Sequence, residues 1–297
     1  MHEEVDSDMT SRLALGTAQL GLRYGVANTV GQVPRHAAYS ILERAAQAGI
    51  DTLDTAIAYG DSEACLGEYG VADWHVITKL PALPNTLANV ETWVESQVVC
   101  SLERLRIPRL GALLLHRPMD LLGERGPQLL QALHSLRQGG LFEAIGVSIY
   151  APDELDRLWK VFRPDLVQVP LNVLDRRLIH TGWLDRLHKV GVRVHIRSVF
   201  LQGLLLMSAQ SRPDYFQPWR ELLDAWSAWC CEHRCSALRS ALGFALAQKG
   251  VERVIVGVDS ISQLEDILEA SAQPPLPLPD LYSDNLKLLE PSRWMLK

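Results

Sequence analysis

The stretch RLALGTAQLGLRYG, residues 12–25, decides between two architectures. An apolar run, Leu13-Ala14-Leu15, stops at Gly16 and passes into polar, glycine-punctuated chain. That is the pattern of a buried strand ending in a loop. An open dinucleotide-binding sheet would carry G-x-G-x-x-G at this point, because its backbone must approach a diphosphate at a helix N-terminus. Here the glycines stand at 16, 21 and 25, a spacing that does not fit. A doubly wound open sheet is therefore the second choice.

Working outward, strand-like and helix-like segments alternate along the chain. RHAAYSILERAAQAG (35–49) is an amphipathic helix closed by glycine. IDTLDTA (50–56) and WHVITKL (74–80) are the second and third strands, separated by SEACLGEYG. A long helix is expected over roughly 86–107, then a fourth strand, LGALLLH (110–116), with the helix QLLQALHSLRQGG after it. FEAIGVSI (142–149) is the fifth strand, and PDELDRLWKVF begins its helix with proline in the first turn. DLVQVPLN (165–172), VRVHIRSV (192–199) and VERVIVGV (251–258) complete a set of eight. Several of these runs are apolar throughout rather than alternating, as strands covered on both faces are. Eight such strands with helices between them predict an α/β fold, a single-domain (β/α)8 TIM barrel. The barrel is expected over residues 11–273, after a flexible tail (1–10) and before a C-terminal extension (274–297) that opens with PPLPLPD and packs on the barrel.

Composition narrows the function. Of 297 residues, 47% are hydrophobic and 22% charged, an ordinary soluble balance. A net charge of −6 provides no basic field for nucleic acid or anionic lipid. No apolar run approaches a membrane span, and the acidic N-terminus MHEEVDSDMT is neither signal nor transit peptide. Five scattered cysteines form no disulfide framework, so a reducing cytoplasm is the expected location. CCEHRC (230–235) sits in helical sequence without a second ligand pair, and no metal is expected.

A barrel carries its chemistry at the C-terminal ends of its strands. The second strand ends at Asp54 with Tyr59 in the loop beyond, the third carries Lys79, and the fourth ends at His116. Taken singly, each has a bland reading as cap, packing or surface residue. Together they form an acid unit. A free phenol titrates near pH 10, a nearby ammonium lowers that value, and a carboxylate holds the ammonium. A neutral imidazole adds a hydrogen bond to an oxygen that gains charge. On this reading Asp54 serves Lys79 and Lys79 serves Tyr59.

From about residue 12 to about 270 the chain resembles the aldo-keto reductase family. The most specific piece is Asp54-Thr55-Ala56-x-x-Tyr59-Gly60-x-Ser62-Glu63, which matches the family's D-T-A-x-x-Y-G-x-S-E. Lys79 and His116 fall where the family's catalytic lysine and histidine fall. IGVSIY (145–150) and LVQVPLN (166–172) are similar to segments that hold a nicotinamide carboxamide, which implies Ser148 and Gln168 as ligands. SVFLQGLLL (198–206) resembles the loop that covers the pyrophosphate, implying Ser198, Leu201 and Gly203. VIVGVDSISQLED (254–266) is similar to the adenosine-phosphate segment, implying Gly257, Asp259, Ser260 and Gln263; Gly16 and Thr17 belong to the same cofactor groove. The resemblance implies an extended NADPH or NADH and a small-molecule carbonyl substrate, reduced to an alcohol with Tyr59 as general acid. LGTAQLGLRYGVANTVGQ also resembles a bacterial branch associated with surface-polysaccharide and sugar metabolism. Two other functions share the fold: a cofactor-binding regulatory protein, and a sugar epimerase or dehydratase that uses its cofactor transiently.

The sequence departs from the family pattern at four points. Ile149 replaces the carboxamide-binding asparagine. Arg197 stands where an aromatic residue stacks on the nicotinamide; a guanidinium can stack too, and its charge opposes the cationic oxidised ring. Val258, Asp259 and Ser260 replace basic residues around the 2′-phosphate, which makes NAD a rival to NADP unless Arg239 or Arg253 supplies charge from elsewhere. The loop after His116 and the extension after 273 are short, so the pocket is open or is completed by a second subunit of a homo-oligomer.

Overall fold

A computed structural model describes residues 9–296, so most of the expected N-terminal tail, residues 1–8, lies outside the described residues. Eight parallel strands close into a barrel in sequence order: β1 (Leu13–Gly16), β2 (Thr52–Asp54), β3 (His75–Leu80), β4 (Leu110–Leu115), β5 (Phe142–Ser148), β6 (Leu166–Pro170), β7 (Arg193–Arg197) and β8 (Arg253–Gly257). Closure is read from β1, where Leu15 sits opposite Leu53 of β2 on one side and Val256 of β8 on the other. The open-sheet alternative is excluded.

The two-residue repeat of a strand sorts side chains between the barrel interior and the ring of helices. Ile77, Ala112, Leu114, Ala144 and Leu166 form a separate interior cluster. The alternate positions, such as Val76, Leu113, Leu115, Ile145, Val147 and Val167, join the larger core between sheet and helices. Both faces are therefore dry, which explains the continuous apolar runs. The interior is packed tightly enough that a Cβ on Gly146 would lie 2.3 Å from Leu114 Cδ2. Following the same parity toward the C-terminal ends, Ile77 is succeeded by Lys79, Leu114 by His116, Leu166 by Gln168, Ile255 by Gly257 and Thr52 by Asp54. The interior cluster is thus the floor on which the polar residues stand.

Helices over Arg35–Gln47, Val90–Leu105, Gly126–Gln138, Asp153–Leu158, Trp183–Lys189, Ala237–Leu246 and Ile261–Ser271 cover the barrel. The segment that the sequence reading treated as a separator, SEACLGEYG, is itself a helix, Ser62–Tyr69. Its weak amphipathic pattern hid it, because one of its core-facing positions is a carboxylate. Glu63 is buried and accepts from Thr78 Oγ1 (2.6 Å), Ser101 Oγ (2.7 Å) and Arg104 Nε (2.8 Å). That single side chain ties the helix Ser62–Tyr69 to β3 and to the helix Val90–Leu105, one residue from Lys79. A second apolar cluster holds Phe216, Leu223 and Trp226 against Leu288 and Leu289 of the C-terminal segment. No helix among the described residues is long and apolar enough to cross a membrane.

Removing the Glu63 carboxylate leaves two buried hydroxyls without acceptors. Glu63→Ala is expected to lower unfolding stability by about 2–3 kcal/mol, measured as a drop in the urea midpoint; an unchanged midpoint would show the network to be dispensable.

Candidate functional site

Asp54, at the inward-facing last position of β2, organises the site. Lys79 Nζ donates to Asp54 Oδ2 at 2.7 Å and to the Thr55 carbonyl at 2.7 Å. Gln168 Nε2 donates to Asp54 Oδ1 at 2.6 Å, and Ser148 Oγ donates to Gln168 Oε1 at 3.1 Å. Lys79, Gln168 and Ser148 are all buried, so these partners replace water completely. Adjacent strands supply this geometry. Asp54 is in register with Ile77, and the following backbone continues the ladder as Thr55 N donates to Ile77 O at 2.8 Å. Thr17 is also buried, donating to the Asp54 carbonyl at 3.0 Å.

Tyr59 lies above this pair. Lys79 Nζ is 5.1 Å from the centre of its ring, and His116 meets the ring edge-on at a centroid separation of 6.0 Å. The four residues expected to form an acid unit are therefore together. The expected lowering of the Tyr59 hydroxyl is not found. Burial, and after it the Asp54 charge, push it upward. The Arg197 charge pulls the other way without prevailing, and the Lys79 ammonium donates to Asp54 and the Thr55 carbonyl, with no hydrogen bond among the described residues joining it to Tyr59. Burial drives Lys79 itself downward, against the pull of Asp54. His116 is pushed down to about 4, by burial first and then by the Lys79 and Arg197 charges. Its imidazole is neutral across the physiological range.

From Asp54 and Tyr59 an elongated cleft of about 380 Å³ runs across the barrel mouth to Asp259, Gln263 and Asp266 beyond β8. Gly16, Thr17, Arg197, Ser198, Gly203 and Gly257 line it between these ends. The wall after β7 is strained: Ser198 (φ 60°), Leu201 (φ 48°) and Gln202 (φ 53°) occupy the left-handed region without being glycine. Such strain persists only where surrounding structure over-determines it, and it concentrates at ligand sites. Gly203 (φ 91°) closes this turn, and a Cβ there would lie 2.6 Å from Ala27 Cβ. The loop after β1 bridges the cleft: Val26 N donates to Gln202 O at 3.1 Å, and Asn28 Nδ2 donates to Asp259 Oδ1 at 2.9 Å.

Not every expected cofactor residue reaches the cleft. Leu201 turns into the apolar cluster around Phe216 and Trp226. Ser260 caps the helix Ile261–Ser271 by accepting from Gln263 N at 3.3 Å. Ser148 and Gln168 sit beneath the cleft, bonded to each other and to Asp54. Arg253 is at the opposite end of β8, against Asp51 and Thr52, and cannot serve a phosphate on this rim. Arg239 is on the helix whose Leu238 lines the cleft, but is not itself a lining residue. Tyr24, Asn28 and Asp266 line the cleft and were missed. Only the glycines flanking Tyr24 and Asn28 could have signalled a loop folded over a ligand.

Comparison with known proteins places the fold in a family. The model of the aldo/keto reductase family matches residues 12–280. D-threo-aldose 1-dehydrogenase from a Pseudomonas species is 30% identical over 305 residues, covering 87% of this chain and 91% of that protein. L-galactose dehydrogenase of Arabidopsis thaliana is 26% identical, covering 88% and 84%. Rattus norvegicus aflatoxin B1 aldehyde reductase member 2 is 30% identical over 204 residues; the match covers 64% of this chain and about half, 52%, of the rat protein. Among solved structures, the holo form of the aldo-keto reductase AKR11C1 from Bacillus halodurans superposes with a TM-score of 0.72 at 22% identity, covering 90% and 88%.

A proton-detected NMR titration is expected to place the His116 midpoint near 4 instead of the usual 6.5. Because the folded value is depressed, the unfolded chain binds this proton first. His116 therefore contributes stability above pH 6.5 that is lost as pH falls toward 4. A midpoint near 6.5 would mean that the imidazole is solvated rather than enclosed.

Proposed function

The chain belongs to the aldo/keto reductase family, and from that premise we propose that it reduces the carbonyl group of a small aldehyde, ketone or sugar with a nicotinamide cofactor, Tyr59 acting as general acid. The observation that carries this reading is the buried Asp54–Lys79 pair beneath Tyr59, with neutral His116 at the ring edge, at one end of a long cleft.

The cleft suits an extended dinucleotide. Gly16 and Gly257 present bare backbone, the strained turn through Ser198 and Gly203 forms one wall, and the Asn28 bridge spans the middle. Ser148 and Gln168 would hold the carboxamide by exchanging their present bonds, Thr17 would shape the floor, and Asp259 and Gln263 would meet the adenosine ribose. Leu201 and Ser260 support this indirectly, by seating the β7 turn and capping the last helix. When bound, the reduced nicotinamide supplies a hydride to the carbonyl carbon.

The chain's own residues handle the proton. As the C=O π bond breaks, the oxygen becomes an alkoxide, far more basic than any phenol. Tyr59 Oη then gives up its proton even though its affinity is raised. The phenolate left behind is offset by the ammonium of Lys79, which Asp54 keeps charged and in place. Neutral His116 donates a hydrogen bond to the same oxygen. The raised proton affinity keeps Tyr59 protonated until the oxygen has gained charge, so the proton follows the developing alkoxide rather than preceding it.

The adenosine end favours NADH. Asp259 and Asp266 line it and Arg197, the one lysine or arginine among the described lining residues, is at the other end. A dianionic 2′-phosphate would face two carboxylates, whereas a ribose hydroxyl can donate to one.

Tyr59→Phe is expected to cut carbonyl reduction by at least about 100-fold while leaving cofactor affinity nearly unchanged; substantial residual turnover would remove Tyr59 from the acid role. In fluorescence titrations NADH is expected to bind roughly tenfold more tightly than NADPH, a difference of about 1.4 kcal/mol. Tighter binding of NADPH would point to Arg239 swinging into the groove, and binding of neither would sink the reductase reading.

A further inference from the structure

Arg197 closes β7 on its inward-facing parity, at the reacting end of the cleft, half-buried. Its hydrogen bonds go to neutral acceptors: Nη2 donates to Ile149 O at 3.0 Å and Nη1 to Ser198 Oγ at 3.4 Å. Its guanidinium carbon lies 4.8 Å from the centre of the Tyr150 ring, which supports one face. None of the ion pairs among the described residues includes it, although a guanidinium offers five N–H donors in a fixed fork. The salt bridge that would have made Arg197 a plain structural residue is absent there.

A cation in a partly dry site needs a counter-ion, and among the described residues no carboxylate comes within ion-pair distance of this one. The nearby carboxylates are committed elsewhere: Asp54 accepts from Lys79 and Gln168, and Glu154, which feels the Arg197 charge, accepts from the backbone N–H groups of Tyr150 and Ala151. Around Tyr59 the cations Lys79 and Arg197 face one anion, while the far end carries Asp259 and Asp266. The cleft is therefore positive where the carbonyl reacts and negative where the adenosine would lie. Held on one side by the Ile149 carbonyl and from beneath by Tyr150, the fork is preorganised, and planar carboxylates match such a fork.

Resting on the reductase reading, we propose that Arg197 anchors a carboxylate of the carbonyl substrate, so that the protein acts on anionic aldehydes or ketones. The oxoacid's carboxylate meets the guanidinium while its carbonyl oxygen points to Tyr59 and His116. The same guanidinium could instead meet the diphosphate of the cofactor, and the test separates the two sources of negative charge.

The probes are phenylacetate and its neutral isostere phenylacetamide, titrated calorimetrically into protein saturated with NADH. Wild type is expected to bind phenylacetate at least about tenfold more tightly. Arg197→Met should bring the ratio close to one, and Arg197→Lys should restore part of it. Equal binding of the two probes by wild type, or a preference that survives in Arg197→Met, overturns the proposal. So does a loss of NADH affinity in Arg197→Met equal to the loss for phenylacetate, since the charge would then serve the diphosphate. Turnover of 4-carboxybenzaldehyde and benzaldehyde is measured alongside. An Arg197-dependent preference for phenylacetate without reduction of either aldehyde would establish the anchor and remove the reductase reading instead.

Discussion

An ammonium buried inside a barrel is the constraint on which this molecule turns. Lys79 cannot stay charged there without a carboxylate at hydrogen-bond distance, and removing either partner of such a pair costs about 3–5 kcal/mol. Asp54 supplies the carboxylate from the neighbouring strand, at 2.7 Å. The pairing demands that β2 and β3 be adjacent, parallel and in a register that points both side chains inward. It also demands a dry floor, which Ile77, Leu114 and Leu166 provide, and a second donor for the free carboxylate oxygen, which Gln168 provides from across the barrel. Outside the barrel, Glu63 pins the opposite face of β3 through Thr78. The charged pair is thus braced from inside and outside.

Further consequences reach the site. Burial, and after it the Asp54 charge, give the Tyr59 hydroxyl a high proton affinity. Burial, and after it the Lys79 and Arg197 charges, keep His116 neutral. One buried arrangement therefore keeps Tyr59 and His116 uncharged together. Along the cleft the sign of charge changes, from Lys79 and Arg197 at one end to Asp259 and Asp266 at the other. A ligand with its own charge asymmetry would be oriented by that difference before any specific contact is made.

The fold was readable in the chain because its signals are local. Continuous apolar runs spaced by helical segments, and glycines at 16, 21 and 25 in place of a diphosphate fingerprint, each depend on a dozen residues or fewer. The helix Ser62–Tyr69 escaped because its core-facing Glu63 is satisfied by partners 15 to 41 residues away, Thr78, Ser101 and Arg104, which no local pattern records. Leu201 and Ser260 carry the right motif and yet face away from the cleft, since a motif conveys residue type and not the direction in which a strained turn points it. Asn28 and Tyr24 lie in a loop with little pattern of its own, and matter only because that loop folds back onto Gln202 and Asp259.

Sequence by itself determined which groups could do chemistry here: the residue types at 54, 59, 79 and 116, the strands that carry them, and the parity that sends them to one side. It did so because covalent spacing and a two-residue repeat are properties of the chain alone. Only the tertiary structure decided the protonation states and the partners. Whether Lys79 reaches Tyr59 or is held by Asp54, and whether Arg197 is paired or open to the cleft, depend on distance and dielectric. Those quantities exist only once strands remote in sequence close on one another.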